Sequence, residues 1–222
     1  MKVEQCRPLL LAALRNLTKE EISKLLTLVV AWSIRWFVAG GGGGGVVERL
    51  YAETALKVTK GELVSADDVA EAVAGQVPSD ERFREAFKIL TVRRGWLARY
   101  YLAVLERAQR GDPEPELVPN TDVEEVNLEH VLPQNPTGNE WPAFTPEEAQ
   151  NMRLMLGNQA LLRKSHNEKI GNQSFAAKQP ILAASDLVLT RQIGEQPDWT
   201  PQTIRDRQEQ LANLAVTVWK RR

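Results

Sequence analysis

Apolar residues recur at helical spacing through almost all of the first 110 positions, and this periodicity restricts the first half of the chain to a helical fold. Leu10, Leu14 and Leu17 share one face of a first helix, and Thr-Lys-Glu-Glu at 18–21 is a capping-box start for a second helix over 19–38. The same criteria predict further helices over 46–60, 66–73, 80–90 and 95–109. The pattern predicts a bundle of about six helices.

Two features of the second predicted helix bear on function. Its apolar run over 25–39 contains Ser33 and Arg35 and is shorter than the roughly 20 residues of a membrane span, so it predicts a buried helix. Arg35 lies between Trp32 and Trp36, where a guanidinium is either a structural brace or part of a ligand site. The apolar run therefore favours a helix in the core of a bundle.

Six consecutive glycines occupy positions 40–45. A phosphate-binding loop would need a strand before the glycines and Gly-Lys-Ser or Gly-Lys-Thr after them, and neither is present. The run is therefore interpreted as a flexible linker.

Composition excludes several classes of protein. The chain has 222 residues, of which 43% are hydrophobic and 26% charged, as in ordinary soluble proteins. The net charge of −1 provides no global basic field, so a DNA-binding surface would have to be local. Cys6 is the single cysteine, and the amino terminus has no signal-peptide pattern. A reducing, cytoplasmic setting is expected, with no membrane partner.

A proline-rich and acidic segment at 113–120 divides the chain into a helical domain over 1–112 and a second domain over 113–222. Alternating β-branched residues predict a strand over 123–132, followed by a loop over 133–139. A second apolar run at 154–162 and later helices follow. Strand, loop, strand and helix form the predicted centre of the second domain.

The end of this strand carries residues with catalytic potential. Glu129 and His130 are followed by Pro133, and Asn158 and Asn167 come 28 and 37 residues after the histidine. Phosphodiester hydrolysis needs a base that activates water and a group that neutralises charge on the phosphate. Histidine, with a reference pKa near 6.5, can accept the proton at neutral pH. A lone histidine at a strand end is more often structural. The hypothesis of catalysis therefore depends on all of these residues occurring together in this order.

The order of these residues resembles the HNH group of ββα-metal nucleases, in which Asp/Glu-His-x-x-Pro precedes an Asn-Leu-x-x-Leu element and a later His or Asn. The surroundings are similar to the C-terminal nuclease domain of GmrSD-type modification-dependent restriction enzymes, including related phosphorothioate-sensing anti-phage nickases. The additional matching positions are Gln134, Trp141, Leu156-Gly157, Asn172, Phe175, Lys178 and the Trp-Thr at 199–200.

The resemblance implies a mainly α (α+β) protein, in which a helical bundle precedes a ββα-metal HNH nuclease module with extra helices. It implies a metal-dependent DNA endonuclease or nickase in which His130 activates water and Asn158 braces the loop or the imidazole. Glu129 and Asn167 are the implied ligands of Mg²⁺, with Mn²⁺ as an alternative, and His166 competes with Asn167 for its role. The residues expected to contact DNA phosphates are Arg163, Lys164, Lys169 and Lys178, with Arg205 and Arg207 on the last helix as further candidates.

The resemblance also implies a bacterial or archaeal defence protein that works with an N-terminal sensor or nucleotide-hydrolysing domain. Nothing in the chain resembles that domain, so a fragment or a separate nuclease subunit is expected. Gln159 stands where the family usually has Leu, a change expected to alter packing more than chemistry. The cysteine pairs that staple many HNH modules are missing, so the helical half is expected to support the module.

Two other functions fit the same residues. The first is a non-catalytic DNA-binding or interaction module that docks a sensor subunit, and the second is a nuclease directed at RNA, such as a toxin. Catalysis predicts that Glu129, His130 and Asn167 converge on one solvent-accessible cleft. Side chains that face different ways would favour the binding module.

Overall fold

The computed structural model describes residues 4–43, 45–112, 126–136, 140–164 and 170–222. Within these ranges the chain forms ten α-helices and one antiparallel sheet of two strands. The predicted mainly helical class is confirmed. The chain divides into two compact units, the first comprising Met1–Ala86 and Val216–Arg222 and the second Phe87–Ala215.

Unit 1 is a helical bundle. Its helices follow the predicted periodicity closely, and the side chain of Thr18 accepts a hydrogen bond from the amide of Glu21 as the capping pattern predicted. The core is formed by one apolar face of each helix, including Leu9, Trp32 and Tyr51. The helices are α1 (Arg7–Asn16), α2 (Lys19–Ala39), α3 (Val46–Thr59), α4 (Ala66–Val73) and α5 (Asp80–Lys88), the last of which begins in this unit.

Helix α2 is, among the described residues, the one helix that is long and apolar enough to cross a membrane by length and composition. Its Arg35 is fully buried and donates hydrogen bonds to the carbonyls of Trp219 and Pro78, at 2.6 and 2.9 Å, and to Asp80 at 2.6 Å. The guanidinium carbon lies 4.9 Å from the ring centroid of Phe83. Arg35 is therefore a structural brace, stacked on a phenylalanine rather than on the neighbouring tryptophans. These contacts make α2 a core helix of the bundle.

The glycine run joins α2 to α3 within unit 1, so it does not separate two domains. Gly40 and Gly45 have φ angles of +73° and +77°, which residues with a side chain rarely adopt. Glycine is favoured at both positions because it has no Cβ to clash at a positive φ.

Unit 2 is built around the antiparallel strands β1 (Val126–His130) and β2 (Gln159–Arg163), with Val126 opposite Arg163 and His130 opposite Gln159. The surrounding elements are α6 (Gly95–Gln109), α7 (Pro146–Met152), a 3-10 turn (Leu156–Asn158), α8 (Phe175–Ala183), α9 (Val188–Gly194) and α10 (Pro201–Val218). The capping box that Thr145 forms with Glu148 starts α7, in agreement with the sequence.

The division at 86 and 87 differs from the expected boundary at 112 and 113 because α6 packs on both strands and on α9. One carboxylate on α6 explains part of this attachment. Glu106 is buried and accepts hydrogen bonds from the amides of Val188 and Leu189, at 2.7 and 2.8 Å, which begin α9. A carboxylate at a helix start is favourable because it satisfies free amides and complements the helix dipole. Neither α9 nor its cap was predicted from the sequence.

Candidate functional site

The candidate site lies where the two-stranded ribbon ends. His130 is the last residue of β1 and pairs with Gln159, the first residue of β2. The chain continues from His130 into a loop that begins with Val131 and Leu132, both fully buried. Two buried apolar side chains directly after the strand anchor this loop in the unit 2 core, so the position of His130 is fixed from both sides.

Asn158 ties this loop to the start of β2. Its Oδ1 accepts hydrogen bonds from the amide of Leu132 at 2.8 Å and from Nε1 of Trp199 at 3.1 Å. Its Nδ2 donates to the carbonyls of Leu132 and Arg153, at 2.9 and 3.2 Å. Two donors and two acceptor positions are the full capacity of an amide side chain, and Asn158 is fully buried. It therefore braces the loop after His130 rather than the imidazole itself.

Side chains of α10 form hydrogen bonds to the turn that contains Asn158. The amide of Gly157 donates to Oε1 of Gln208 at 2.5 Å. A Cβ at position 157 would lie 2.5 Å from the carbonyl oxygen of Ile204, so only glycine fits. The guanidinium of Arg207 donates to the carbonyls of Leu156, Gly157 and Gln159, at 3.1, 2.7 and 2.9 Å.

Arg207 was a sequence candidate for contacting phosphates, and the structure corrects that interpretation. The side chain is buried, and burial lowers the pKa of the guanidinium to about 9, which still leaves it charged at neutral pH. Its charge faces three carbonyl oxygens of the turn rather than solvent. Arg207 therefore positions the backbone that carries Asn158 and Gln159.

The imidazole of His130 is half-buried and lies between two glutamine side chains. Its Nε2 is 3.3 Å from Nε2 of Gln134 and 3.3 Å from Nε2 of Gln159. Burial, and secondarily the positive charge of Lys178, lower the pKa of His130 below its ordinary value of 6.5. The ring is therefore neutral at neutral pH and has a lone pair with which to accept a proton.

Glu129 faces away from the imidazole, because successive side chains of a strand alternate between its two faces. Its carboxylate is buried and accepts a hydrogen bond from Nζ of Lys178 at 2.5 Å. The same ammonium donates to the carbonyl of His130 at 3.1 Å. Burial raises the pKa of Glu129 and lowers that of Lys178, and the attraction between the two charges opposes both effects.

The implied metal does not fit Glu129 as this side chain is placed. A divalent cation would compete with the ammonium of Lys178 for the same carboxylate, and the two positive charges would repel each other. Among the described residues no group of three His, Cys, Asp or Glu side chains lies close enough to hold an ion. Asn167 and its competitor His166 lie outside the described residues.

The described residues that were expected to contact phosphates lie in different environments. Lys178 was expected to face DNA. Instead its side chain is fully buried and its ammonium pairs with Glu129. Arg163 is exposed and pairs with Asp186 at the far end of β2, four residues or roughly 13 Å along the strand from the His130 pair. Lys164 is half-buried next to it, Arg205 is exposed on α10, and Lys169 lies outside the described residues.

Sequence reasoning missed the contacts that Gln159 and Gln134 make with the imidazole. Gln159 is fully buried and was expected to affect packing more than chemistry, whereas Gln134 was noted only as part of the motif. The signal for Gln159 was the strand register, because a polar residue directly opposite the histidine shares its side of the ribbon. The register could not be read from the sequence because 28 residues, including α7 and the 3-10 turn, separate the strands.

A search of curated proteins found no match to the chain. A comparison with protein families matched the C-terminal domain of GmrSD restriction endonucleases over residues 77–214, which is more than half of the chain and nearly all of unit 2. The match confirms the family inferred from the motifs, over a shorter span than the nearly complete chain expected. It assigns the restriction endonuclease domain to the part of the chain that carries His130, Asn158 and Gln159. The chain therefore belongs to the family of GmrSD restriction endonuclease C-terminal domains.

Proposed function

We propose that unit 2 hydrolyses DNA phosphodiester bonds, as a nuclease or nickase of a modification-dependent anti-phage system, with His130 as the general base. The observation that carries the proposal is the half-buried imidazole held at the end of the β ribbon, where burial lowers the pKa of His130. A general base needs a free lone pair at the working pH and a fixed position. Burial supplies the first requirement, and the loop braced by Asn158 supplies the second.

In this reaction Nε2 of His130 takes a proton from a water molecule while the water oxygen attacks the phosphorus atom. The P–O bond to the leaving group breaks, the leaving oxygen takes a proton from solvent water, and His130 later returns its proton to solvent. Gln134 is exposed, so its amide is the group beside Nε2 that water can displace. Water therefore approaches His130 from the Gln134 side.

Dependence on Mg²⁺, with Mn²⁺ as a substitute, is part of the proposal and rests on the family resemblance. DNA is the proposed substrate, and an N-terminal sensor domain or subunit in a bacterial or archaeal cytoplasm is the proposed partner. The restriction endonuclease family supports DNA as the target. Specificity for a DNA modification is assigned, as part of the proposal, to that partner.

A plasmid cleavage assay tests the proposal. Supercoiled DNA is incubated with the protein in Mg²⁺, in Mn²⁺ and in EDTA, and relaxed and linear products are measured. His130→Ala should abolish cleavage, whereas Arg15→Ala, a surface change on α1 far along the chain, should retain it. Equal cleavage by His130→Ala would refute the role of the histidine. Competition with RNA in the same assay distinguishes a DNA nuclease from an RNA-directed toxin.

One observation favours the alternative of a non-catalytic binding module. Glu129 and His130 face opposite sides of β1, and the carboxylate is already neutralised by Lys178. A module of this kind would bind DNA without cutting it under any metal condition. Fluorescence anisotropy with labelled DNA measures binding separately from cleavage. Binding without cleavage, unchanged in His130→Ala, would establish the alternative.

A further inference from the structure

We propose that the segment 93–96, where α6 begins, is a DNA-binding surface in which Arg93 and Arg94 contact phosphates and the indole of Trp96 stacks on an unpaired base. The inference deepens the proposed function and rests on it for DNA as the bound polymer. None of the phosphate contacts expected from the sequence lies in this segment. Binding by the segment can be measured without any cleavage.

The two arginines are available to a ligand. Both side chains are exposed, and neither forms a hydrogen bond or an ion pair with another described residue. By contrast, Lys178 and Arg207, which were expected to contact phosphates, are buried, and Arg163 is already ion-paired. An arginine without a carboxylate partner offers a planar fork of donors that matches the oxygens of a phosphate.

Two contacts place the segment on the imidazole side of the ribbon. Leu128 lies two residues before His130 on β1, so the two side chains share a face. A Cβ at Gly95 would lie 3.9 Å from Cδ2 of Leu128. From the other strand, Nε2 of Gln159 donates to the carbonyl of Val92 at 3.2 Å, and the same nitrogen is 3.3 Å from Nε2 of His130. The segment therefore begins beside the candidate general base.

The distance fits a DNA strand whose scissile phosphate lies at His130. The amide nitrogen of Arg93 is bonded to the carbonyl carbon of Val92, which places it at most roughly 9 Å from Nε2 of His130. A DNA strand advances about 3.4 Å per nucleotide, so the two arginines can reach phosphates within roughly two or three nucleotides of the scissile one. Contacts of this kind position the strand without reading its sequence.

The segment is anchored to the part of the chain that braces the site. Thr91 pairs with Met155 in an isolated antiparallel bridge, and the amide of Val92 donates to the carbonyl of Leu154 at 2.8 Å. Leu154 and Met155 directly precede the 3-10 turn that contains Asn158. Because the backbone next to the arginines is already ordered, a bound strand does not have to order it.

Trp96 provides the argument for an unpaired base. Its side chain is 53% exposed and forms no ring contact or hydrogen bond with the other described residues. Exposed aromatic side chains beside cations are the combination that binds single-stranded nucleic acids, because every base has a face that can stack. In an intact duplex the neighbouring base pairs cover these faces. The surface should therefore favour a strand with unpaired bases, including one opened locally within a duplex.

Fluorescence anisotropy in EDTA tests the phosphate contacts without cleavage. A labelled single strand, RNA of the same sequence and the matching duplex are titrated with the full chain at several salt concentrations. The wild type should bind single-stranded DNA most tightly. The double variant Arg93→Ala/Arg94→Ala should lower the slope of log K against log salt by about 1.4, since each phosphate contact on a single strand contributes about 0.7. Arg191→Ala, which removes an arginine that pairs with Glu195, is the matched control and should keep the slope.

Substitutions of Trp96 test the stacking. Trp96→Leu should weaken binding of the single strand by about 5-fold or more, the effect of losing one stacked base. Trp96→Phe keeps an aromatic face and should retain most of the affinity. Phe37→Leu changes another aromatic residue with a similar exposed fraction, 49%, and should bind like the wild type.

The outcomes separate this inference from the proposed function. An unchanged salt slope in the double variant, a duplex or RNA bound more tightly than single-stranded DNA, or wild-type affinity in Trp96→Leu would overturn the surface even if the plasmid is cut. If the double variant lacks a native circular dichroism spectrum, Arg94→Gln is measured instead and should lower the slope by about 0.7. Arg94 precedes α6 without capping it through its side chain, so this change spares the helix. The expected binding without any cleavage would refute the nuclease and leave the surface intact.

Discussion

Nζ of Lys178 lies 2.5 Å from a carboxylate oxygen of Glu129, and both side chains are almost fully withdrawn from solvent, with exposed fractions of 0% and 8%. Arg163 and Asp186 form a pair with the same 2.5 Å separation at the surface, with exposed fractions of 59% and 58%. The two pairs have the same separation, but the first is buried and the second is exposed to solvent. Because removing one partner of a buried pair leaves an uncompensated charge, only the first pair is expected to be essential for folding.

Lys178→Met should destabilise the protein by about 3–5 kcal/mol, since the carboxylate of Glu129 loses its counter-charge inside the core. The double variant Glu129→Gln/Lys178→Met should recover part of this loss, because no buried charge remains. Arg163→Met is the matched control and should cost at most about 1 kcal/mol. Urea unfolding followed by circular dichroism measures the three free energies. Equal losses for Lys178→Met and Arg163→Met would contradict the burial argument.

Asn158 and His130 should separate stability from activity. Asn158→Ala removes four buried hydrogen bonds and leaves the amide of Leu132 and the indole of Trp199 without their partner. A loss of more than about 2 kcal/mol in the free energy of unfolding is expected, together with loss of cleavage. His130→Ala should lose cleavage while changing stability by less than about 1 kcal/mol, because the ring is only half-buried. A stable but inactive Asn158→Ala would instead indicate a direct chemical role for the amide.

These contrasts mark what could be predicted from the sequence. Helical periodicity and caps such as Thr18 and Thr145 are local, so most helices and the mainly helical class were predictable. The role of Lys178 was not predictable, because its partner Glu129 is 49 residues away in the sequence. A lysine without an acidic partner nearby in the sequence is expected at the surface. The cap that Glu106 provides for α9, 82 residues later, was hidden for the same reason.

The same difference between local and long-range features applies to the candidate site. The resemblance implied that Asn158 braces either the loop or the imidazole, and its four hydrogen bonds go to Leu132, Arg153 and Trp199. The ligand role of Glu129 was implied by the family resemblance, whereas alternation along β1 directs its carboxylate to the side opposite the imidazole, where it pairs with Lys178. Chemistry that depends on which residue faces which across the ribbon required the register between His130 and Gln159.

Gly157→Ala tests the close contact between the turn and α10. The added Cβ would lie 2.5 Å from the carbonyl oxygen of Ile204, a backbone atom that cannot rotate away. We expect a destabilisation of about 1–3 kcal/mol and reduced cleavage, because the turn that carries Asn158 must shift. Gly75→Ala is the control, since a Cβ there meets no atom within 4 Å. Thermal unfolding of the two variants compares them, and equal melting temperatures would mean that the turn yields at little cost.

The lowered pKa of His130 makes a specific prediction about stability in the metal-free protein. Its causes are burial first and the charge of Lys178 second. The folded state binds the proton less readily than the unfolded chain, whose histidine has an ordinary pKa of 6.5. The contribution of His130 to stability is therefore fully present above pH 6.5 and is lost as the pH falls from 6.5 through the folded pKa.

Unfolding of the wild type and of His130→Gln in EDTA, at about pH 7.5 and about pH 5.5, measures this contribution. Acidification should cost the wild type more stability than the variant, because glutamine does not titrate. A wild type that gains stability relative to His130→Gln at the lower pH would show that the folded protein favours the charged ring, and the imidazole would then be a poor proton acceptor at neutral pH.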